Sequence, residues 1–385
     1  MTAFTKIEAC LGWVLLLGGS TTQIVVAQQT TNASQLAKIP PRLSLTYTNP
    51  VWNADFPDPT VIHARDGYYY AYGTETRRAG KVLNIQVARS PDLVHWTLLG
   101  DALPVKPAWA HTTDSFWAPH VSEVGGKYYM YFSAKPDNAV DSKDPGAGLC
   151  LATATATAPA GPFVPTNEPL QCGPGFVNID PMQFDDPATG QRLLYWGSGF
   201  GPLKVRALAP DRLHFAPGSQ VKELLFPDSS RRADNYQKLV EGSWVVRRNG
   251  WYYLFYSGDN CCGDKAHYAV QVARSRAATG PFETLAQATG QPGSAILVRN
   301  DRWLAPGHNS VVTDAAGHDW LAYHAISVRK KTFVAVNNEQ EDSRRVLLLD
   351  RLEYVDGWPR VVPNHGTPSV EAVPAPVARR TKSKP

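Results

Sequence analysis

The sequence of 385 residues has little net charge, which argues against nucleic acid as a partner. The formal net charge is +4, and the C-terminal residues contribute about three of those positive charges, so the rest of the chain is close to neutral. The residues responsible are Arg379, Arg380, Lys382 and Lys384, set against Glu371. A protein that binds nucleic acid through a basic field carries a larger and more widely spread positive charge. We therefore expect no nucleic-acid partner.

Apolar runs long enough to span a membrane are also missing. Near the N-terminus Lys6 precedes a short apolar run, Leu11–Leu17, and Gly, Thr and Gln interrupt the sequence that follows. A spanning helix needs about 20 apolar residues. The compact residues Val25 and Ala27 fit a cleavage site, which predicts a signal peptide over residues 1–27 and a polar linker over 28–42. An uncleaved membrane anchor is the alternative to the signal peptide. We expect a secreted protein, either extracellular or periplasmic. We also expect the protein to be a monomer.

Cysteine is scarce, with five in the chain, and Cys10 would leave with the signal peptide. An even number in an exported protein permits two disulfides, although sequence cannot fix their connectivity. We favour Cys150–Cys172, with Cys261 and Cys262 either joined as a vicinal pair or reduced. Metal binding is the rival explanation, but no second Cys/His cluster stands at ligand spacing.

Aromatic residues and turn formers are abundant, with 11 Trp, 16 Tyr, 13 Phe, 30 Gly and 31 Pro. One sequence repeat, an apolar strand followed by a glycine turn and an aromatic strand, occurs five times at intervals of 60 to 67 residues. Its copies align on Tyr69, Tyr129, Leu193, Tyr253 and Trp320. Such radial repetition predicts an all-β fold, a five-bladed β-propeller. We assign the propeller to residues 43–368 as a single domain, because no blade can bury its faces alone, and a disordered basic tail to residues 369–385.

The first strand of each blade lies nearest the propeller axis, and three of these strands carry a carboxylate: Asp58, Asp180 and Glu241. Unpaired buried acids are costly, so three of them at matching positions indicate a functional site. Glycosidic cleavage needs one protonated carboxyl to donate to the leaving oxygen and one ionised carboxylate opposite it. The apolar residues around Glu241 favour the neutral acid, and the polar turn around Asp58 leaves the ionised form accessible. A third acid can raise the donor's pKa by repulsion.

Each of these residues also has a structural interpretation. Asp58 and Asp180 precede prolines and could simply open turns. Trp117 is either a stacking platform for a sugar ring or part of the core. His308 either binds an ion, a water molecule or a sugar hydroxyl on the axis, or is a structural histidine.

Six motifs in this order make the chain, from about Asn49 to Val361, similar to glycoside hydrolase family 43, and most closely to its arabinanase and α-L-arabinofuranosidase branch. The motifs are Phe56-Pro57-Asp58-Pro59, Trp117-Ala118-Pro119, Ile179-Asp180-Pro181, Glu241-Gly242, Gly307-His308-Asn309-Ser310 and Asp356-Gly357-Trp358-Pro359.

The resemblance implies a five-bladed propeller and hydrolysis with inversion of anomeric configuration. It implies that Asp58 is the general base, Glu241 the general acid, and Asp180 the acid that tunes and orients the donor. His308 corresponds to the position where related arabinan enzymes hold a central calcium or other ion, and Arg345 to a substrate-contacting arginine. One departure is His120, where many relatives have Asp.

We therefore expect an exported inverting glycosidase that cleaves α-L-arabinofuranosyl linkages in arabinan or arabinose-substituted plant polysaccharide. The chain lacks the long C-terminal sandwich that is usual in the β-xylosidase branch, which favours arabinose-containing substrates. A β-xylosidase or β-galactosidase of the same fold is the alternative. A non-catalytic sugar-binding propeller and a retaining fructan hydrolase of the same architecture also remain open.

Overall fold

A computed structural model describes residues 45–137, 148–230, 232, 234–334, 341–362 and 364–378. The predicted signal peptide and linker, residues 1–42, lie outside the described residues. In the described ranges no helix combines the length and the apolar character required to cross a membrane. The fold is a five-bladed β-propeller, as predicted.

Each blade is an antiparallel sheet of four main strands, here named blades 1 to 5 in chain order. Blade 1 contains Thr60–His63, Tyr69–Gly73, Gln86–Ser90 and Thr97–Asp101. Blade 2 contains Phe116–Val124, Lys127–Ala134, Cys150–Ala156 and Val164–Pro165, with Gln171–Cys172 paired to its third strand. Blade 3 contains Met182–Asp185, Arg192–Trp196, Lys204–Ala207 and Lys222–Glu223.

Blade 4 contains Val240–Arg248, Trp251–Asn260, His267–Ser275 and Glu283–Thr284, with Ala295–Leu297 paired to its third strand. Blade 5 contains Trp303–Thr313, Asp319–Ser327, Arg345–Val355 and Trp52–Asp55, with Trp358–Val362 on its third strand. Two short hairpins, Thr76–Arg78 with Lys81–Leu83 and Thr332–Val334 with Glu341–Ser343, lie outside the blades. The described helices are one 3-10 turn, Ala108–Ala110, and one α-helix, Leu285–Thr289, which begins with a capping box between Thr284 and Gln287.

The ring is closed by a strand from the start of the described chain. Trp52–Asp55 pairs with Arg345–Val355 and so joins the first described residues to the last blade. Sequence alone had not decided whether Leu43–Tyr47 did this. Thr46–Tyr47 instead pairs with Val373–Pro374.

The prediction that residues 369–385 are disordered is wrong for the first residues of this segment. Ser369 is fully buried and donates its backbone N–H to Asp350 (3.2 Å), and Val373 is buried in the core. The composition of this segment, rich in proline and alanine, predicted disorder, but a few apolar side chains are enough to pack it against the propeller. Residues 379–385 lie outside the described residues.

The repeat predicted from sequence corresponds to the second strand of every blade. Tyr69, Tyr129, Leu193, Tyr253 and Trp320 all lie on those strands. The glycine before each, at positions 67, 126, 190, 250 and 317, has a φ between 72° and 87°. Only glycine adopts this left-handed conformation without steric cost, which explains why the turn carries glycine in all five copies.

A second repeat was not anticipated: one residue near the start of each inner strand has a left-handed backbone. These residues are Asp58 (φ 55°), Ala118 (49°), Asp180 (59°), Gly242 (63°) and His308 (48°). In blades 2, 4 and 5 the pairing register shifts beside this residue, as in a β-bulge. A left-handed residue costs roughly 1–3 kcal/mol when it is not glycine, and bulges of this kind re-aim side chains next to functional sites. The distortion therefore brings selected side chains to the axis.

The core is divided into layers between neighbouring blades. The largest cluster spans blades 3, 4 and 5 and includes Tyr195, Phe255 and Tyr323, all fully buried. A second cluster, with Tyr72 and Phe132, lies between blades 1 and 2. The polar side chains are consequently displaced to the axis and to the loops at its ends.

The favoured disulfide is present. Cys150 and Cys172 are bonded and pair in register on blade 2, with a sequence separation of 22 residues. Cys261 and Cys262 are both free.

We expect the double substitution of Cys150 and Cys172 to serine to lower the free energy of unfolding by about 3 kcal/mol, because a loop of this length gains that much freedom in the unfolded chain. Chemical denaturation of the non-reduced protein measures the change. The matched control is Cys261→Ser, which removes a free thiol and should shift the midpoint much less. An unchanged midpoint in the double variant would show that the bridge does not constrain the unfolded chain.

Candidate active site

Asp58 lies at the centre of a cluster of basic groups. Its Oδ1 is 3.0 Å from a guanidinium nitrogen of Arg345 and 3.3 Å from Nδ1 of His308. Its Oδ2 accepts a hydrogen bond of 2.6 Å from the hydroxyl of Thr74. Its backbone N–H donates to Nδ1 of His324 at 3.1 Å, and burial lowers the pKa of that imidazole to about 4, so His324 is neutral. The three partners of the carboxylate oxygens, Arg345, His308 and Thr74, are compatible with an ionised carboxylate.

Glu241 is held by two hydroxyl groups. Ser198 Oγ donates to Oε2 and the Tyr268 hydroxyl donates to Oε1, each at 2.7 Å. The ring of Tyr268 is fixed in turn, because it stacks parallel to His324 and packs so closely on Gly307 that a Cβ there would lie 2.1 Å from it. Both oxygens of Glu241 therefore have a defined direction.

Asp180 connects these two centres. Its Oδ2 accepts the backbone N–H of Gly242 at 3.0 Å, one residue beyond Glu241, and lies 3.8 Å from Nδ1 of His308, which also contacts Asp58. The three acids, predicted from positions far apart in sequence, thus meet in one site. Asp58, Asp180 and Glu241 expose only 7%, 6% and 9% of their surface, so none points to bulk solvent on the rim.

The electrostatics separate Asp58 from the other two acids. Burial alone would raise the pKa of Asp58, but the charge of Arg345, followed by the effect of His308, holds it well below its usual value. Burial raises the pKa of Glu241, against the lowering effect of the bonds from Tyr268 and Ser198. The pKa of Asp180 is raised well above its usual value, first by burial and then by the charges of Glu241 and Asp58. One ionised carboxylate therefore faces two groups that favour a proton, which is the division that acid–base catalysis uses.

Arg345 and Trp117 line the Asp58 side of the site. Arg345 is the first residue of its strand, and its backbone N–H donates to Asp55 Oδ1 at 3.0 Å, which sets the direction of the guanidinium. Trp117 is partly exposed, and its indole N–H donates to Glu75 Oε1 at 3.0 Å. The substrate contacts assigned to both residues stay predictions.

His308 was also predicted to bind an axial calcium ion. Among the residues that the structure describes, no group of three or more His, Cys, Asp or Glu side chains is arranged to hold a metal. Calcium prefers six to eight oxygen ligands, whereas His308 turns Nδ1 toward two carboxylates that it contacts itself. The described side chains alone do not supply a calcium site, and the calcium ion stays a prediction on which no step below depends.

His120, the departure from the family pattern, is buried against the rings of Trp244 (5.2 Å) and Tyr131 (6.3 Å). Burial lowers its pKa to about 3, so it is neutral. It makes none of the contacts that hold the three acids.

Sequence reasoning missed the residues that hold the acids. They are Thr74, Ser198, Tyr268 and His324, which lie on second or third strands or within two residues after them. Glu75, also missed, holds the indole of Trp117. The sequence held a weak signal, because each copy of the repeat ends its second strand with a small or polar residue, such as Ser257 and His324. The repeat alone did not show that these side chains face the next blade.

A family model described as "Glycosyl hydrolases family 43" matches residues 47–359. The chain belongs to glycosyl hydrolase family 43. It is therefore a glycosidase that hydrolyses O-glycosyl bonds, as predicted, and a carbohydrate is its substrate. This excludes the non-catalytic propeller.

The similar proteins include enzymes of more than one substrate class. An extracellular exo-α-(1→5)-L-arabinofuranosidase ArbA of Cellvibrio japonicus is 27% identical over 80% of this chain and 86% of its own. A β-D-galactofuranosidase xynD of Aspergillus niger is also 27% identical, over 79% of this chain and 80% of its own. A thermostable family-43 glycoside hydrolase superposes with a TM-score of 0.66 at 26% identity, covering 87% of this chain and all of the other. The α-L-arabinanase of Cellvibrio cellulosa, at 23% identity and a TM-score of 0.63 over 80% of this chain and 95% of its own, shows the same fold.

Replacing Arg345 with Met should move the acidic limb of the pH profile of kcat/KM to higher pH by roughly 1–3 units, because an adjacent arginine lowers a carboxyl pKa by that amount. The sign follows from the role of a base: activity is lost as the pH falls through the pKa of Asp58, and removing the cation raises that pKa. Arg345→Lys keeps a positive charge and should shift the limb less. A limb that does not move in Arg345→Met would show that Arg345 does not keep this carboxylate ionised.

Replacing Tyr268 with Phe should move the alkaline limb upward by roughly half to one pH unit, the value of one hydrogen bond. The hydroxyl stabilises ionised Glu241, so its loss raises the pKa, and the protonated acid persists to higher pH. Tyr253→Phe is the matched control, because its hydroxyl donates to the carbonyl of Gly357 instead. The same shift in both variants would contradict a specific effect on Glu241.

Proposed function

We propose that this glycosidase is an exported, inverting enzyme that cleaves α-L-arabinofuranosyl linkages. The observation that carries the proposal is the separation of the acids by environment: Arg345 lies 3.0 Å from Asp58 and lowers its pKa, while burial raises the pKa of Glu241 and favours its protonated form. In the proposed reaction Asp58 accepts a proton from water as the water attacks the anomeric carbon. Glu241 donates its proton to the leaving oxygen, and Asp180 orients Glu241 through the backbone of Gly242.

Inversion follows if Asp58 activates water rather than attacking the sugar itself. The surroundings of Asp58 are compatible with this role, because Arg345, His308 and Thr74 contact both of its oxygens and keep the carboxylate ionised and fixed in position. Proton NMR of the first product formed from a substrate of known anomeric configuration measures the outcome. Retention would favour a covalent intermediate on Asp58 and thus the mechanism expected for a fructan hydrolase.

The arabinofuranosyl specificity rests on the two classes of similar arabinan enzymes, the exo-acting arabinofuranosidase and the probable endo-acting arabinosidases. Export is supported by the extracellular relative and by a disulfide in blade 2. Arabinan or an arabinose-substituted polysaccharide would be the natural substrate.

β-D-Galactofuranosides are the second candidate, favoured by the similar xynD protein. This sugar has the same ring as α-L-arabinofuranose with one further carbon on the exocyclic chain, so one cavity could admit both. Comparing kcat/KM on the two 4-nitrophenyl furanosides decides between them. A preference for the galactofuranoside would overturn the arabinose assignment without affecting the acid–base roles.

We expect Asp58→Asn and Glu241→Gln each to lower kcat on arabinan by at least about 100-fold, the usual contribution of a general base or acid. The two roles separate on 4-nitrophenyl α-L-arabinofuranoside, whose good leaving group needs little protonation. Glu241→Gln should recover much of its rate on that substrate, whereas Asp58→Asn should remain slow. Reducing-end and nitrophenol assays measure the rates, and circular dichroism checks the fold. Near-normal turnover on arabinan in either variant would remove the role of that residue.

A further inference from the structure

Two aromatic side chains lie close to the turn that begins at Ser198, the residue whose hydroxyl binds Glu241, and they take no part in the chemistry described above. Phe200 is 69% exposed, an unusual state for a phenylalanine. Phe176, on a neighbouring turn, meets it edge to face with ring centroids 6.0 Å apart. The pair is therefore an apolar surface open to solvent.

The backbone presents Phe200 in a way that packing does not require. Ser198 and Gly201 close a tight turn through a 3.1 Å hydrogen bond, and the two central residues, Gly199 and Phe200, have φ values of 68° and 62°. Such turns prefer Gly, Asn or Asp at both positions, and a bulky residue there is an outlier. An exposed aromatic side chain in a strained conformation buries nothing that would offset the cost, which points to a role outside folding.

The turn is rigid and is coupled to the general acid. A Cβ added to Gly199 would lie 2.7 Å from the Val177 side chain and 3.2 Å from the Phe176 backbone, so the two aromatic turns are packed together. Ser198, which begins the turn, is fully buried and binds Glu241 Oε2 at 2.7 Å. Two residues of chain span at most about 7 Å, so the Cα of Phe200 lies within that distance of the Cα of Ser198, whose side chain contacts Glu241.

We infer that Phe200, backed by Phe176, forms a binding subsite for the sugar ring on the leaving-group side of the scissile bond. The inference rests on the proposed function, in which Glu241 protonates the leaving oxygen, because the departing sugar must then lie beside Glu241. A sugar presents a face of C–H bonds that packs on an aromatic ring. The occupant is the next furanose unit of an arabinan chain, held by this contact rather than by charge.

The test compares two substrates that require the same proton from Glu241. α-1,5-Linked arabinohexaose places a sugar ring on the leaving-group side, whereas methyl α-L-arabinofuranoside releases methanol and has no ring to bind there. For Phe200→Ala we expect kcat/KM on arabinohexaose to fall about fivefold to tenfold, mainly through KM, in line with the value of one aromatic contact. The rate on the methyl glycoside should be unchanged.

Two further variants are controls. Phe200→Tyr keeps the ring and should retain activity near wild type on both substrates. Val164→Ala trims an equally exposed apolar side chain on the fourth strand of blade 2 and should change neither rate.

An unchanged kcat/KM on arabinohexaose in Phe200→Ala overturns the subsite. An equal loss on both substrates also overturns it, because Phe200 would then act through Ser198 and Glu241 rather than on the leaving sugar. Wild-type protein that hydrolyses neither compound overturns the proposed arabinofuranosidase function, and the subsite with it, since the stated ligand is then not bound.

Discussion

The propeller and its active site depend on one set of hydrogen bonds that runs around the axis. Near the start of an inner strand the backbone turns left-handed, and its N–H is satisfied by a polar side chain at the end of the preceding blade's second strand. An N–H in this position would otherwise be buried and unpaired, which costs more than the bond itself contributes. The pairs are Ala118 with Thr74, Asp180 with Ser133, His308 with Ser257, and Asp58 with His324. Blade 4 departs from this pattern: the N–H of its left-handed residue, Gly242, donates to Asp180 Oδ2, and Ser198 instead binds the side chain of Glu241.

The same bonds therefore determine both how neighbouring blades meet and where the acids point. Thr74 shows the coupling most directly, because its oxygen accepts from the backbone of Ala118 while its hydroxyl donates to Asp58. A displacement of one blade would move the base, and a change at the base would disturb the blade contact. The site is rigid for this reason, and rigidity of its supporting residues is what acid–base chemistry requires.

Much of the fold could be predicted because it repeats. The turn glycines and the aromatic second strands mark five equivalent units, and propeller geometry brings Asp58, Asp180 and Glu241 to the axis once those units are counted. The pKa of Asp58 is lowered and that of Glu241 is raised, the directions that their neighbours in sequence predict. The predicted disorder was wrong for Ser369 and Val373, because composition alone does not show that this segment packs against the propeller. It also left the closing strand undecided, since Trp52–Asp55 carries no copy of the repeat.

By itself, the sequence determined the number of blades, because the repeat is a local pattern, and the same spacing predicted that Asp58, Asp180 and Glu241 would meet at the axis. Only the tertiary structure decided what surrounds each acid: Arg345 on Asp58, and the hydroxyls of Ser198 and Tyr268 on Glu241. The physical reason is that a pKa and a binding surface depend on distances of a few ångströms between atoms that are scores or hundreds of residues apart in the chain. Such distances exist only after the ring has closed.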